Sequence, residues 1–256
     1  MKKIFGLRAC LVLLLSFVLV MMLSVFFVSE TSAKEPAASY RILFIGDSYT
    51  YYNDLPSALT RTVPELKIKT VSMTRGAYTL EKFLSEKVTL DAIRKGNFDF
   101  VILQENSQRS VKDKKKMHDA IRGLAAEIKK TKAQTILFMP WAREDFPKMI
   151  IPLSKAYIEI GKELDIKVSP VGLAWESALK ANPKLSLYSD DKSHPSRPGT
   201  YLAVCTLYAT LTGKSPVGLS VGGFKRLGDE RAKFLQQIAW KTYETQRLKN
   251  TAKDSH

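Results

Sequence analysis

Residues able to perform nucleophilic catalysis occur at two distant places in the chain. Ser48 directly follows Gly46 and Asp47 near the start, whereas Asp191 and His194 lie three positions apart in a polar segment near the end. That spacing lets a single loop hold a carboxylate and an imidazole together. The carboxylate can then fix the imidazole tautomer while the other ring nitrogen faces a serine. Residues of these types can together perform acyl transfer, with a serine hydroxyl as the nucleophile.

Each of these motifs also has a simpler interpretation when taken alone. A Gly-Asp-Ser triplet can be an ordinary turn whose serine caps a helix, and His194 could cap the helix that follows it. Among the other histidines, His118 lies in a charged helical segment and His256 ends the chain. Ser220 lies in a Gly-Leu-Ser-Val-Gly motif, which would need a strand before it and an acid and a histidine after it. We therefore interpret Ser220 as part of a glycine-rich loop.

The elements that must position these residues can be predicted from hydrophobic periodicity. Compact apolar runs typical of buried strands cover residues 41–45, 68–73, 98–103, 135–139 and 166–168. Helical spacing of apolar residues covers residues 80–94, 117–130 and 149–164. This alternation predicts a three-layer α/β/α sandwich with a central parallel sheet of about five strands. Reactive groups are then expected past the carboxyl ends of the strands, at residues 47–48, 75–76, 104–106 and 141.

Three motifs occur in a specific order along the chain. They are ILFIGDSYTYYN at residues 42–53, LQENSQ at residues 103–108, and HPS at residues 194–196 with GTYLA at residues 199–203. Together they resemble the SGNH (GDSL-like) hydrolase superfamily, and more narrowly a poorly characterised bacterial branch of it. The resemblance spans Tyr40 to about Leu219. It implies a flavodoxin-like fold and a serine esterase in which Ser48 is the nucleophile, His194 the base and then the acid, and Asp191 its orienting partner.

The resemblance also implies an oxyanion hole. The backbone N–H groups of Ser48 and Gly76 would contribute to it, although Gly76 could also be a simple turn glycine. Typical members supply a third donor from a Gly-x-Asn-Asp motif after the third strand, and this chain lacks that motif. Asn106 is the expected donor, Gln104 is the alternative, and Gln108 remains open.

The N-terminal segment differs in composition from the rest of the chain. Lys2, Lys3 and Arg8 precede an apolar run over residues 9–28, which ends shortly before Ala33. This order predicts a signal peptide over residues 1–33, or an uncleaved membrane anchor because the run could span a bilayer. Residues 34–256 would then form one SGNH hydrolase domain. We expect that domain to be secreted or anchored on the outer face of the cytoplasmic membrane.

Composition restricts the expected partners. The formal net charge is +15, which favours either a solvated surface or attraction to an anionic cell-envelope polymer. The basic residues are scattered and no recognition motif accompanies them, so we expect no nucleic-acid partner. No residue cluster has metal-ligand spacing, and we expect no metal and no cofactor. The predicted function is hydrolysis of a small-molecule or carbohydrate ester, such as an O-acetylated carbohydrate or another envelope ester. The alternative is a catalytically silent SGNH-like surface protein that binds anionic polymers.

Overall fold

The computed structural model of the protein describes residues 39–224 and 226–251. The predicted signal peptide or anchor at residues 1–33 lies outside the described residues. In the described part of the chain, five strands form one parallel sheet in the order β2-β1-β3-β4-β5. The strands are β1 (Arg41–Gly46), β2 (Lys69–Thr74), β3 (Phe100–Leu103), β4 (Gln134–Phe138) and β5 (Lys167–Ser169).

The helices join these strands and continue after the last one. In chain order they are α1 (Ser48–Tyr51), α2 (Leu55–Thr62), α3 (Leu80–Ser85), α4 (Lys87–Lys95), α5 (Arg109–Lys112), α6 (Lys114–Ile128), α7 (Ile150–Glu163), α8 (Val171–Ala181), α9 (Arg197–Thr212) and α10 (Asp229–Thr251).

Two helix boundaries differ from the sequence prediction for local reasons. The single helix expected over residues 80–94 is two helices, because Glu86 adopts an extended conformation between α3 and α4. Helix α6 begins three residues earlier than expected, at Lys114. The Asp113 side chain caps it there by accepting a hydrogen bond of 3.1 Å from the Lys116 N–H.

Successive side chains of β1 point to opposite faces of the sheet and enter two different apolar layers. Ile42 and Phe44 point into one apolar cluster, which α2, α8, α9 and α10 complete. Leu43 and Ile45 point into the opposite cluster, which α3, α4, α6 and α7 complete. Helix α9 is buried on nearly every side, as is typical of a helix enclosed between two layers. The predicted α/β/α sandwich with a five-stranded parallel sheet is therefore confirmed.

The sheet register aligns the loops that were expected to carry reactive groups. Gly46 at the end of β1 pairs with Thr74 of β2, and Ile45 pairs with Leu103 of β3. The loops after these three strands therefore begin side by side. In residues 39–224 and 226–251, no helix is both long and apolar enough to cross a membrane.

Candidate active site

The turn after β1 presents Ser48 at the start of α1. A side chain at Gly46 would place its Cβ 2.5 Å from Thr50 Oγ1 and 2.6 Å from Gln104 Oε1, so the turn requires glycine. Asp47 caps α1 by accepting a 3.0 Å hydrogen bond from the Tyr49 N–H. Because Ser48 is the first residue of the helix, its N–H has no intrahelical acceptor and can donate to a ligand.

The loop before α9 brings the other two predicted residues to Ser48. His194 Nε2 lies 2.8 Å from Ser48 Oγ, and His194 Nδ1 is hydrogen-bonded to Asp191 Oδ2. Asp191 Oδ1 accepts the N–H groups of Ser193 at 3.0 Å and of His194 at 2.9 Å. The three-residue spacing therefore lets one carboxylate hold both the backbone and the ring of His194.

The charge state of Asp191 determines which imidazole nitrogen carries the proton. Desolvation raises the pKa of this carboxyl, but hydrogen bonds from the side chain and backbone of His194 and from the Ser193 N–H lower it to about 2. An ionised carboxylate can only accept hydrogen bonds, so the neutral imidazole carries its proton on Nδ1. Nε2 is then free to accept the hydroxyl proton of Ser48.

Aromatic rings hold the imidazole in place. Tyr52 stacks on His194 with ring centroids 4.6 Å apart, and Tyr49 meets the same ring edge-on at 5.7 Å. Tyr49 in turn stacks on Trp141 at 4.7 Å, and its hydroxyl lies 2.7 Å from Ser193 Oγ. The Trp141 Nε1–H donates to the Ser193 carbonyl at 3.0 Å. These rings restrict the orientation of the loop that carries His194.

Asn53 is a further supporting residue that sequence reasoning did not single out. It has a positive φ of 52° between α1 and α2, a conformation for which asparagine is enriched. Its Nδ2 donates to the Pro195 carbonyl at 2.8 Å and to Thr200 Oγ1 at 2.9 Å. An asparagine that ends the motif at residues 42–53 was the available signal. Its amide ties the nucleophile segment to the histidine loop.

Gly76 follows β2 and lies beside the turn that carries Ser48. The Arg75 N–H donates to the Gly46 carbonyl at 3.2 Å, which holds the loop after β2 against the end of β1. Within the described residues, the Gly76 N–H has no hydrogen-bond partner in the protein. A Cβ at this position would lie 3.1 Å from the Tyr51 hydroxyl oxygen. The backbone N–H is therefore free to bind an oxygen atom of a ligand.

The Asn106 side-chain amide is held in one orientation and still has an unused hydrogen-bond donor. Its Nδ2 donates to Asp47 Oδ2 at 3.1 Å, and its Oδ1 accepts the Gln108 N–H at 3.2 Å. A side-chain amide has two donor hydrogens, so one remains for a ligand. Asp47 thus both caps α1 and orients Asn106 beside Ser48.

Both the oxygen and the nitrogen of the buried Gln104 side-chain amide form hydrogen bonds within the protein. Its Oε1 accepts the Asp47 N–H at 3.0 Å and the Thr50 hydroxyl at 2.6 Å. Its Nε2 donates to the Glu105 carbonyl at 2.6 Å. These contacts fix the turn around Ser48. Each of the two amides keeps one donor hydrogen, but Gln104 is 1% exposed whereas Asn106 is only half-buried. The geometry therefore favours Asn106 over Gln104 as the candidate third oxyanion donor.

Glu105, next to Asn106, is a buried carboxyl. The sequence predicted that it lies past the end of β3 but predicted no function for it. Its side chain is 1% exposed, and Oε1 accepts the N–H groups of Asn106 at 2.7 Å and Leu80 at 3.2 Å. Among the described residues, Oε2 has no hydrogen-bond partner. Burial raises the pKa of Glu105 to about 7, against the opposing effects of these hydrogen bonds and of Arg109.

Glu105 should make the stability of the chain depend on pH. The folded-state pKa of about 7 lies above the ordinary value of 4.5, so between these values the folded chain binds a proton that the unfolded chain has released. The free energy of unfolding should therefore decrease as pH rises through this window. Between about pH 5 and pH 8, the wild type should lose roughly 2–3 kcal/mol more than Glu105→Gln. Urea unfolding of both proteins at the two pH values measures this difference.

Glu65→Gln is the matched control for that experiment, because Glu65 is an exposed carboxylate. This control should lose as much stability as the wild type between the two pH values. Equal losses for Glu105→Gln and the wild type would show that Glu105 does not bind the proton.

Ser220 lies outside this set of contacts. It belongs to the loop between α9 and α10, where its Oγ donates to the Thr62 carbonyl at 3.2 Å and accepts the Gly222 N–H at 3.3 Å. Ser220 therefore packs against the C-terminal end of α2. The described residues between β5 and Ser220 include no strand, so no strand leads into the Gly-Leu-Ser-Val-Gly motif.

Comparison with known proteins identifies the class of this fold. No family model and no curated protein matches the sequence. A solved structure from Slackia heliotrinireducens, assigned to the SGNH hydrolases, matches with a TM-score of 0.61 and 23% identity, covering 68% of this chain and 99% of that one. The chain therefore has the fold of the SGNH-type hydrolases, as its motifs predicted.

Two other solved structures also resemble this chain in fold. A DUF4886 family protein from Bacteroides uniformis matches with a TM-score of 0.63 and 17% identity, covering 79% of this chain and 94% of that one. A catalytic mutant of Axe2, an acetylxylan esterase from Geobacillus stearothermophilus, matches with a TM-score of 0.53 and 18% identity, covering 69% and 96%. These proteins share the fold with this chain.

Proposed function

We propose that this chain is a serine hydrolase that cleaves carboxylic esters. The observation that carries the proposal is the continuous set of hydrogen bonds from Ser48 Oγ through His194 to Asp191. Fold neighbours named as hydrolases and esterases support the same class of reaction. Asp191 is the orienting acid, His194 the general base and acid, and Ser48 the nucleophile.

The first half of the reaction forms an acyl-enzyme. Ser48 Oγ attacks the ester carbonyl carbon while His194 Nε2 takes its proton, and the carbonyl oxygen becomes an oxyanion. The N–H groups of Ser48 and Gly76 and the second amide hydrogen of Asn106 donate to that oxyanion. The tetrahedral intermediate then collapses, the carbon–oxygen bond to the alcohol breaks, and His194 protonates the departing alcohol.

The second half of the reaction restores the enzyme. His194 Nε2 takes a proton from water, and the hydroxide oxygen attacks the acyl carbon under the same three donors. The intermediate releases the carboxylic acid and returns the proton to Ser48 Oγ. Asp191 stays ionised throughout, because its pKa of about 2 lies far below the pH at which imidazole acts as a base.

The proposed substrate is an O-acylated carbohydrate or another ester of the cell envelope. One fold neighbour is an acetylxylan esterase, which supports an acylated carbohydrate. The net charge of +15 favours an anionic partner. The N-terminal sequence supports export, either as a secreted protein or as one anchored on the outer face of the cytoplasmic membrane.

Labelling with a fluorophosphonate probe tests this proposal. The probe phosphonylates a serine only where an activated hydroxyl and an oxyanion hole coincide, so peptide mapping by mass spectrometry should locate the label on Ser48. His194→Gln, which keeps a polar side chain but removes the base, should abolish labelling of the folded protein. A folded wild type that takes no label, or takes it on another serine, would contradict the proposal and favour a silent binding protein.

A further inference from the structure

A groove lies beside the candidate active site, with a volume of about 630 Å³. That volume falls within the range of small-molecule sites, roughly 300–1,000 Å³. Its walls are mainly apolar and are formed by Val111, Phe146, Pro147 and Met149. Phe146 is 66% exposed and Val111 is 40% exposed, so the groove presents apolar surface to solvent. We call this site the Arg143 groove, after the residue discussed below.

One of the two segments that form the Arg143 groove holds the candidate oxyanion donor, and the other is hydrogen-bonded to the loop that holds Asp191 and His194. Gln108 lines the groove, and its backbone N–H donates to Asn106 Oδ1 at 3.2 Å. The other segment contributes Arg143 and Asp145 to the groove. Between them, the Glu144 N–H donates to the Lys192 carbonyl at 3.0 Å, next to Asp191. A molecule in the groove would therefore lie close to the loop of the candidate oxyanion donor and to a segment that is hydrogen-bonded to the loop of the candidate catalytic acid.

Arg143 is the unexplained residue of this groove. It is half-buried, its Nε has no hydrogen-bond partner among the described residues, and its guanidinium forms no ion pair with them. Burial raises the pKa of the neighbouring Tyr49 phenol, and the charge of Arg143 opposes that rise. A partly buried cation gains stability by pairing with an anion, so the unpaired Arg143 guanidinium is suited to bind a negatively charged group of a ligand.

The other charged residues of the groove do not neutralise Arg143. Asp145 is the carboxylate that lines it, and this carboxylate is paired with Lys192 at 3.0 Å. Lys112 and Lys148 also line the groove and add positive charge. The groove thus combines apolar walls with an excess of positive charge.

We propose that the Arg143 groove binds the unreacted part of the ester substrate, and that this part carries a carboxylate next to an apolar surface. Because the Arg143 Nε atom is buried, the two Nη groups donate to the two carboxylate oxygens as a fork. The apolar part packs on Phe146 and Val111. The proposal rests on the proposed esterase function, and it adds a class of substrate and a residue that selects it.

Two pairs of esters test the proposal and determine on which side of the scissile bond the carboxylate lies. Mono-4-nitrophenyl glutarate against 4-nitrophenyl butyrate places a carboxylate on the acyl side. 4-Acetoxyphenylacetate against 4-methylphenyl acetate places it on the alcohol side. In one of the pairs, the wild type should favour the carboxylate ester by about tenfold or more in kcat/KM, because hydrogen bonds to charged groups are strong.

Substitution of Arg143 should remove that preference. Arg143→Gln should lower kcat/KM for the favoured carboxylate ester by about 10- to 100-fold, mainly through KM, and change the neutral ester less than about twofold. Arg143→Lys keeps the charge without the fork and should recover part of the loss. Lys155→Gln is the matched control for net charge, because Lys155 is exposed on α7 and outside the groove.

Direct binding separates this proposal from the proposed function. Glutarate titrated into the wild-type chain by calorimetry measures the site without any turnover. Binding that disappears in Arg143→Gln supports the groove even if neither ester is hydrolysed, whereas hydrolysis of neutral esters without glutarate binding or carboxylate preference overturns it. Equal losses on neutral and carboxylate esters in Arg143→Gln would also overturn it, since they would indicate a general structural role.

Discussion

Ser48→Ala should abolish ester hydrolysis, whereas Ser220→Ala should keep most of it. Loss of the nucleophile of a serine triad lowers kcat by a factor on the order of 10⁶. Ser48 Oγ lies 2.8 Å from His194 Nε2, whereas Ser220 Oγ is hydrogen-bonded to the Thr62 carbonyl at the far end of α2. Initial rates on 4-nitrophenyl acetate measure both variants against the wild type.

The comparison is informative because both variants remove one hydroxyl from a loop or helix end. Circular dichroism and thermal melting should show both proteins to be folded. Ser220→Ala should lower the melting temperature slightly, because the Gly222 N–H and the Thr62 carbonyl lose a partner. An active Ser48→Ala beside an inactive, folded Ser220→Ala would refute the assignment of the nucleophile.

The strands could be predicted from sequence because buried parallel strands are short, nearly continuous apolar runs. Each of the five predicted runs overlaps an observed strand, from β1 at Arg41–Gly46 to β5 at Lys167–Ser169. The helices were harder, since periodicity does not detect a single extended residue such as Glu86. Helix α10 was not predicted, because its 23 residues are polar on average and only a few of its side chains enter the core.

The geometry of the candidate triad could be predicted in part, because the contact between its carboxylate and its imidazole forms within one short loop. Asp191 and His194 share one loop, and the spacing alone brings the carboxylate to the ring. The supporting contacts depend instead on segments that meet only in the folded chain. Tyr52 stacks on His194, although the two residues are 142 positions apart in the sequence. Arg143 is a candidate binding residue only because the folded chain places it in a groove between two loops. No local pattern specifies such contacts.

Asn106→Ala should lower kcat by about a hundredfold or more and leave KM little changed. The reason is that the hydrogen bond from its amide to the oxyanion strengthens only in the transition state. The Asn106 amide is already held beside Ser48 by Asp47 Oδ2 at 3.1 Å, with one hydrogen left to donate. Steady-state kinetics on 4-nitrophenyl acetate measure the two parameters separately.

Gln104→Ala should act through stability, because Gln104 has both ends of its side chain hydrogen-bonded within the protein. Its removal leaves the buried Asp47 N–H and Thr50 hydroxyl without that acceptor, which costs about 1–3 kcal/mol in urea unfolding. Gln108→Ala is the matched amide control. It keeps the backbone bond to Asn106 Oδ1 and should retain a near-normal kcat. A large loss of kcat in folded Gln104→Ala, beside near-normal Asn106→Ala, would transfer the donor role to Gln104 and leave the triad intact.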